Sequence, residues 1–327
     1  MPNNSQYNSG TNQLSFTGTM AEQLPIWPES VRGGPNALLR SALFAGIHSK
    51  KRVFLGQQTQ PEKEPEGVMI AAQDGVTIRY TGTQLNQYDA DVFFEAVHRA
   101  RKEPLGSKCV FTGAAFLKAI GRSRNDLNYE DLNESLRRLR RGTLIAQWTI
   151  NGRKYEYEGS LIAEVTRAEK EKFYELTFTK KIAILFQAAS WTQLEWEERK
   201  ALKGKPLAQW LHSYFSTHAA PFPISAAYLH EKSGSPTKLL KHFKPELRRA
   251  LNQLHDSLGW EFTWDDNNLI SVTRPPTAAQ ARHLERKKAK AARQKQEKAA
   301  AIVRKNQGQL TSIANILPGL AFGARTR

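Results

Sequence analysis

Apolar side chains recur at helical spacing in three successive segments of the first half of the chain. The first, DADVFFEAVHRAR between Asp89 and Arg101, has apolar residues at steps of three and four, the pattern of an amphipathic helix. The second, FTGAAFLKAIGRS, is shorter and closes at Gly121. The third, NYEDLNESLRRLRR, places three leucines on one face: Leu132, Leu136 and Leu139. Three helices are therefore predicted in close succession.

A β-hairpin is predicted directly after the third helix. Apolar and polar residues alternate in LIAQWTI, and the segment KYEYEG follows it after a short turn. The dipeptide Asn151-Gly152 suits a type I′ turn, because both residues tolerate a positive φ. The first half of the folded chain thus shows a helix-turn-helix pattern followed by a hairpin.

The second half repeats this order. KPLAQWLHSYFSTH predicts a helix, ISAAYLHEKSGS predicts a short helix that stops at Gly234, and LLKHFKPELRRALNQLHDSLGW predicts a long one with an apolar seam. Pro245 lies inside the long helix, where proline removes a hydrogen bond, so a kink or a restart is expected there. Strands follow in WEFTW and LISVTR around a turn at residues 265–268. Both halves therefore predict winged helices.

The fold class expected from these patterns is α+β, with two tandem winged-helix domains. The first covers residues 24–190 and the second residues 191–274. Residues 1–23 are polar and are expected to be a disordered N-terminal segment. Residues 275–327 form a basic tail of good helix formers with few large apolar side chains, which predicts an exposed helix.

Charge and composition narrow the functional class. The chain of 327 residues has 48 Lys and Arg against 31 Asp and Glu, a formal net charge of +17. Nucleic acid is the commonest partner of so basic a protein, although a ribosomal surface or anionic lipid would satisfy the same charge. Cys109 is the single cysteine, which excludes an internal disulfide and a cysteine-rich metal site. No leader or apolar span is recognisable, so we expect a cytoplasmic protein without a membrane segment.

Two sets of cations form the candidate DNA-binding surface. Arginine forks suit phosphate oxygens and guanine edges, and the second helix of a helix-turn-helix commonly enters the major groove. A solvated helix end is the alternative, because cations also favour the negative end of the helix dipole. The first set comprises Arg137, Arg138, Arg140 and Arg141 with Arg153 and Lys154 at the hairpin tip. The second set comprises Lys238, Lys241, His242, Lys244 and Arg248.

Signatures of catalysis are missing from the sequence. It has no phosphate-binding loop, no H-E-x-x-H and no G-x-S-x-G, so we expect neither an enzyme nor a bound cofactor. The acidic residues at the start of the third helix would suit Mg²⁺, but their place at a helix N-terminus explains them, and no metal is expected. Several tryptophans could stack on unpaired bases, and core packing is the alternative role.

Three stretches resemble the TrfA family of plasmid replication initiators: IWPESVRGGPNALLRSALF, VTIRYTGTQLNQYDADVFFEAVHRAR and WTQLEWEERKALKGKPLAQWLHSYFSTHAAPFP. The similarity runs from about Leu24 to Thr273. It implies two winged-helix domains that bind repeated sites, called iterons, in double-stranded plasmid-origin DNA. It also implies opening of AT-rich duplex, with contact to single-stranded DNA, and recruitment of the host's replicative helicase and polymerase sliding clamp. Homodimers that convert to monomers are a feature of related initiators.

The resemblance further implies a clamp-binding pentapeptide near the N-terminus. This chain offers QLSF, Gln13 to Phe16, and QLPIW, whose candidate contacts are Gln23, Leu24, Ile26 and Trp27. Trp27 also belongs to the WP element of the resemblance, so it is alternatively an anchor of the fold. A winged-helix transcriptional repressor without a replication role is the alternative function, and an RNA- or ribosome-associated basic protein is a third.

Overall fold

A computed structural model describes residues 23–56, 67–73, 75–105, 107–150, 152–168, 172–186 and 190–316. The chain divides into one compact unit that ends at Arg274 and a second that begins at Pro275. The N-terminal segment predicted to be disordered lies outside the described residues, except for Gln23. Two separate apolar cores lie within the first unit, so that it contains two modules.

The first module begins with a β-rich segment and continues into three helices. Its first elements are β1 (Val31–Pro35), α1 (Asn36–Leu39), β2 (Phe44–Ala45), a 3₁₀ turn (Ser49–Lys51), β3 (Phe54–Leu55), β4 (Val68–Ile70), β5 (Val76–Thr83) and β6 (Leu85–Asn86). The helix-turn-helix follows as α2 (Gln87–Ala100), β7 (Lys108–Thr112), α3 (Gly113–Ala119) and α4 (Asp126–Arg141). The side chains of Asn86, Thr112 and Asn125 accept amide hydrogen bonds at the starts of α2, α3 and α4.

Two hairpins, not one, follow α4. They are β8 (Thr143–Ile150) with β9 (Arg153–Gly159), and β10 (Glu164–Ala168) with β11 (Phe173–Thr177). A 3₁₀ segment (Lys180–Phe186) and β12 (Trp191–Glu195) complete the module, and β12 pairs with β1. The expected boundary after Ser190 therefore precedes a strand that pairs with the first module.

The second module has the predicted order of helices and strands. Its elements are α5 (Trp196–Ala201), α6 (Pro206–Ser216), β13 (Ile224–Ser225), α7 (Ala226–Lys232), α8 (Leu240–Leu258), β14 (Glu261–Trp264) and β15 (Leu269–Thr273). The strand between α6 and α7 pairs with β15, which pairs with β14. The expected restart at Pro245 is wrong, because α8 runs unbroken through this residue and ends at Gly259, whose φ is +67°.

Strand pairing shows which hairpin of the first module is the wing. In the second module the sheet order is β13-β15-β14, and the corresponding order in the first module is β7-β11-β10. The hairpin β8–β9 instead joins β5 in a five-stranded sheet. The prediction that the hairpin directly after α4 is the wing, with Arg153 and Lys154 at its tip, is therefore wrong. The wing is β10–β11, and β8–β9 is inserted before it.

A buried polar joint connects the two modules. The Arg199 guanidinium on α5 lies 2.5 Å from Asp91 Oδ1 on α2 and donates to Ser213 Oγ on α6 at 2.7 Å. It also donates to Gln87 Oε1 at 2.9 Å. Arg199 is only 1% exposed, and removing a partner from a buried ion pair is strongly destabilising. The two modules therefore form one unit, in which each has its own apolar core and the buried polar joint connects them.

The second unit contains one long helix, α9 (Ala278–Ile316). The helical tail predicted from its composition is thereby confirmed. Its charged side chains from Arg286 to Lys298 are exposed, as are Ile302 and Val303. From Arg274 to the end of the sequence there are thirteen Lys and Arg against two Glu. This helix is a strongly cationic surface.

Candidate nucleic-acid interface

The helix α8 presents cations on its N-terminal half. Phe243, Leu247 and Leu251 on one side are buried in the second core, which leaves the opposite side facing outward. All five predicted residues are on or beside that outward face: Lys238, Lys241, His242 and Arg248 are exposed, and Lys244 is half-buried. Within the described part of the chain, none of these lysines forms an ion pair. Their charges are available to a polyanion.

Arg248 connects α8 with the wing of the second module. Its guanidinium carbon lies 4.7 Å from the ring centroid of Trp264 on β14. A cation over an aromatic face is held by the ring quadrupole while its N–H groups stay accessible. The Arg248 side chain is therefore held between α8 and the wing strand β14.

The arginines of α4 have different environments. Arg138 does not project outward as expected: its Nε and Nη2 donate to Asp89 Oδ1 at 3.0 and 2.9 Å. Asp89 is fully buried and also binds Arg52 at 2.9 Å. Desolvating the Asp89 carboxylate without these cations would be costly, so Arg138 has a structural role. Its guanidinium is therefore engaged within the fold and not available for a DNA contact.

The remaining three arginines of α4 lie on the surface. Arg137 forms an ion pair with Glu134 and lies 3.6 Å from Glu130. Arg140 and Arg141, at the C-terminal end, are exposed and form no ion pair with any described residue. The N-terminal half carries the acidic residues Asp126, Glu130 and Asp131, and Glu134 follows at the middle of the helix. A positive surface exists on α4 only near its C-terminus.

The hairpin residues of the first set are placed away from the wing. Arg153 begins β9, and Lys154 beside it is exposed. Because β9 belongs to the five-stranded sheet, a contact with DNA from these two residues does not follow from wing geometry. The sequence signal for the true wing was the alternation in EVTRA and FYELT, on either side of the polar residues 169–171, which lie outside the described residues.

The candidate clamp-binding segment QLPIW is part of the fold. Leu24 and Trp27 are each 2% exposed, while Ile26 is 69% exposed. The Gln23 side-chain amide donates to the Arg101 carbonyl at 3.3 Å. A partner would have to extract the leucine and the aromatic side chain from the first core. Leu24 and Trp27 are therefore inaccessible to a partner in this fold, where Trp27 is an anchor of the core, and clamp binding by these four residues stays a prediction.

A neutral histidine holds the Trp27 indole. Trp27 Nε1 donates to His98 Nδ1 at 3.0 Å, and His98 Nε2 lies 2.8 Å from Glu29 Oε2. Burial and the charges of Arg32 and Arg101 lower the pKa of His98 to about 4, despite the contact with Glu29. The ring is thus uncharged at neutral pH, with Nδ1 free to accept and Nε2–H donating.

Other candidate sites receive no support from the geometry. No group of three metal-ligating side chains occurs among the described residues, and no described helix is long and apolar enough to cross a membrane. Trp196, Trp210 and Trp260 are at most 3% exposed, so their packing role is confirmed. Trp191 and Trp264 are half-buried.

The fold and the cation-rich recognition helix define a tandem winged-helix protein with a surface suited to duplex nucleic acid. The sequence profile described as TrfA protein matches residues 12–274. The chain belongs to the TrfA family.

Similar proteins include a curated relative and two solved structures. The plasmid replication initiator protein TrfA of Escherichia coli is 26% identical over 257 residues, which cover 76% of this chain and 63% of that protein. Domains 2 and 3 of RctB are 11% identical, with 74% of this chain and 99% of that chain covered and a TM-score of 0.47. The WH1 domain of the replication protein MSBI1.176 is 9% identical, with 30% and 76% covered and a TM-score of 0.24.

Proposed function

We propose that this chain is a plasmid replication initiator that binds iterons in double-stranded origin DNA. The observation that carries the proposal is the start of α8, where Lys241 and His242 on the helix and Lys238 just before it are exposed, without an ion-pair partner among the described residues. Recognition helices contact bases with their N-terminal residues, where hydrogen-bond donors such as lysine reach guanine edges. The family membership supports initiation as the purpose of this contact.

The two modules have different roles on one site. The second module reads bases through α8, and the first contacts backbone phosphates through Arg140 and Arg141 at the end of α4. A single winged helix covers few base pairs, so adjacent contacts by both modules lengthen the site. The cationic helix α9 adds attraction for any duplex, because phosphate neutralisation is independent of sequence.

The test is binding to DNA from the region around its own gene. Full-length protein is titrated with overlapping duplexes from that region and with shuffled duplexes, at several salt concentrations. We expect protection of tandem repeats with at least about a thousandfold preference over shuffled DNA. Equal affinity for all duplexes would contradict the proposal, because a basic protein that contacts no base edges has only the electrostatic, sequence-independent contribution to its affinity.

Origin opening separates an initiator from a repressor. Permanganate reactivity reports unpaired thymines, so an AT-rich stretch beside the repeats should become reactive when the protein binds supercoiled DNA. Protection of a single operator, with no permanganate-reactive thymines beside it, would instead favour a transcriptional repressor. Contact with the exposed single strand and recruitment of the replicative helicase belong to this opening step.

Clamp recruitment is assigned to QLSF, Gln13 to Phe16, which lies outside the described residues. Leu14→Ala with Phe16→Ala should weaken binding to the polymerase sliding clamp and leave iteron binding intact. The matched control is Ile26→Ala, which changes the exposed residue of QLPIW without opening the core. Loss of clamp binding in the control, but not in the double variant, would exclude this assignment.

A further inference from the structure

A polar cleft adjoins α8 on the side away from the wing. It has a cavity volume of about 240 Å³ and lies between the first module's segment at His48 and Lys51, the start of α6 at Lys205, and α8. From α8 it is lined by Glu246, Arg249 and Gln253, among others. At about 30 Å³ per water molecule, this volume corresponds to roughly eight water molecules, which leaves room for one phosphate group.

The charges of the cleft favour an anion. Lys51 and Arg249 are exposed, and neither forms an ion pair within the described ranges. Lys205 Nζ donates to Ser257 Oγ at 2.9 Å and forms no ion pair with a carboxylate among the described residues. The one acid in the lining, Glu246, accepts from Thr237 Oγ1 at 3.2 Å. Three cations against one carboxylate leave a net positive cleft.

The position of the cleft relative to α8 identifies the anion. The apolar side of α8 faces the second core, and Arg248 lies on the flank that touches the wing through Trp264. Arg249 and Gln253 lie on the other flank, which lines the cleft. A helix is about 10–12 Å across and the major groove is about 12 Å wide, so both flanks of a docked helix adjoin a phosphate backbone.

We propose that this cleft binds one backbone phosphate of the strand that borders the groove opposite the wing, with Lys51 and Arg249 as its direct contacts. The inference rests on the proposed DNA-binding function and adds a contact that joins both modules to one nucleotide. Lys205 supports the site electrostatically from the start of α6. The phosphate then sets the register of the two modules on the duplex, without reading a base.

The experiment measures DNA binding by the full-length wild type and by one full-length double variant that carries both Lys51→Gln and Arg249→Gln. A lost phosphate contact should reduce the slope of log K against log salt by about 0.9, which corresponds to roughly eightfold weaker binding at 0.1 M salt. Iteron and shuffled duplexes should lose the same factor. The matched control is Lys50→Gln, which removes an exposed charge next to Lys51 but outside the cleft lining. Its slope should remain that of the wild type.

Phosphate ethylation interference locates the contact. Among the interfering phosphates of the wild type, one should lie on the strand opposite the wing at the cleft, and the double variant should lose interference at that phosphate alone. An unchanged slope and interference pattern would overturn the inference while leaving DNA binding established. Failure of the wild type to bind any duplex would overturn the proposed function as well.

Free inorganic phosphate is the other ligand that the charges of the cleft would bind. Calorimetric titration with inorganic phosphate at constant ionic strength should show no saturable binding to the wild type. Suppose instead that the wild type binds phosphate saturably and the double variant does not, while the slope of log K against log salt for DNA is the same in both. The cleft would then be a site for a free anion, and the proposed DNA contact would be overturned. An unchanged unfolding midpoint in the double variant excludes misfolding as the cause of weaker DNA binding.

Discussion

The helices α4 and α8 occupy equivalent positions in the two modules but distribute their charges in opposite ways. The N-terminal half of α8 contains Lys241 and His242 with one acid, Glu246, and all three are accessible or half-buried. The N-terminal half of α4 is acidic, and its cations lie in its last turns. An acidic helix start repels the phosphates that border the major groove. We therefore expect base reading from α8 and not from α4.

The comparison shows that four arginines within five residues do not by themselves make a recognition surface. Arg138 is bound to Asp89, Arg137 is paired with Glu134, and only Arg140 and Arg141 are available. The lysines and arginines of α8 have no such carboxylate partners among the described residues. The number of cations on a helix is thus less informative than the location of the nearest carboxylates.

The largest expected effect is on the stability of the first module. Asp89→Ala would leave Arg52 and Arg138 without their buried carboxylate, so the free energy of unfolding should fall by about 3–5 kcal/mol in urea denaturation. Glu134→Ala removes the exposed partner of Arg137 and should cost less than about 1 kcal/mol. Equal losses would mean that Arg138 is no more structural than its neighbour.

The next effect separates base reading from phosphate contact. Lys241→Ala should cost about 1–3 kcal/mol of iteron binding and relax preference at one position, while shuffled DNA is affected less. Arg140→Ala with Arg141→Ala should weaken iteron and shuffled duplexes by one common factor. Competition binding with single-base-pair variants of the repeat measures both. A reversed result would make α4 the reader.

A smaller effect is expected from the cationic tail. Truncation after Pro276 keeps Arg274, whose guanidinium donates to the carbonyls of Phe215 and His218, and removes α9. Affinity should fall roughly eightfold at 0.1 M salt for each phosphate the helix neutralises, with a flatter salt slope and the same discrimination. Loss of discrimination would show that the tail, rather than α8, reads the site.

The smallest effect tests the acidic start of α4. Glu130→Gln with Asp131→Asn should change duplex affinity by less than about threefold, because exposed charges outside the contact act through screening solvent. Electrophoretic mobility shift at two salt concentrations suffices. A gain of about tenfold or more would place the N-terminal half of α4 against the backbone and remove the contrast with α8.

Much of the candidate site could be predicted from the sequence, because the cations of α8 lie opposite an apolar seam with a regular spacing. Leu247 and Leu251 are buried, so the polar positions between them face outward. Three features could not be predicted. Arg138 and Asp89 are 49 positions apart, β7 pairs with β11 across two helices and a hairpin, and Lys51 reaches the cleft from the other module.

The sequence by itself determined the main helices, the hairpin β8–β9, the strands β14 and β15 and the cationic tail. These elements depend on side-chain periodicity and on turn residues that lie within a few positions of one another in the chain. Only the tertiary structure decided which hairpin is the wing, that QLPIW is buried through Leu24 and Trp27, and which cations keep an open surface. The physical reason is that strand pairing, burial and ion pairing depend on groups far apart in the chain, and the desolvation of a carboxylate such as Asp89 selects among equally cationic neighbours.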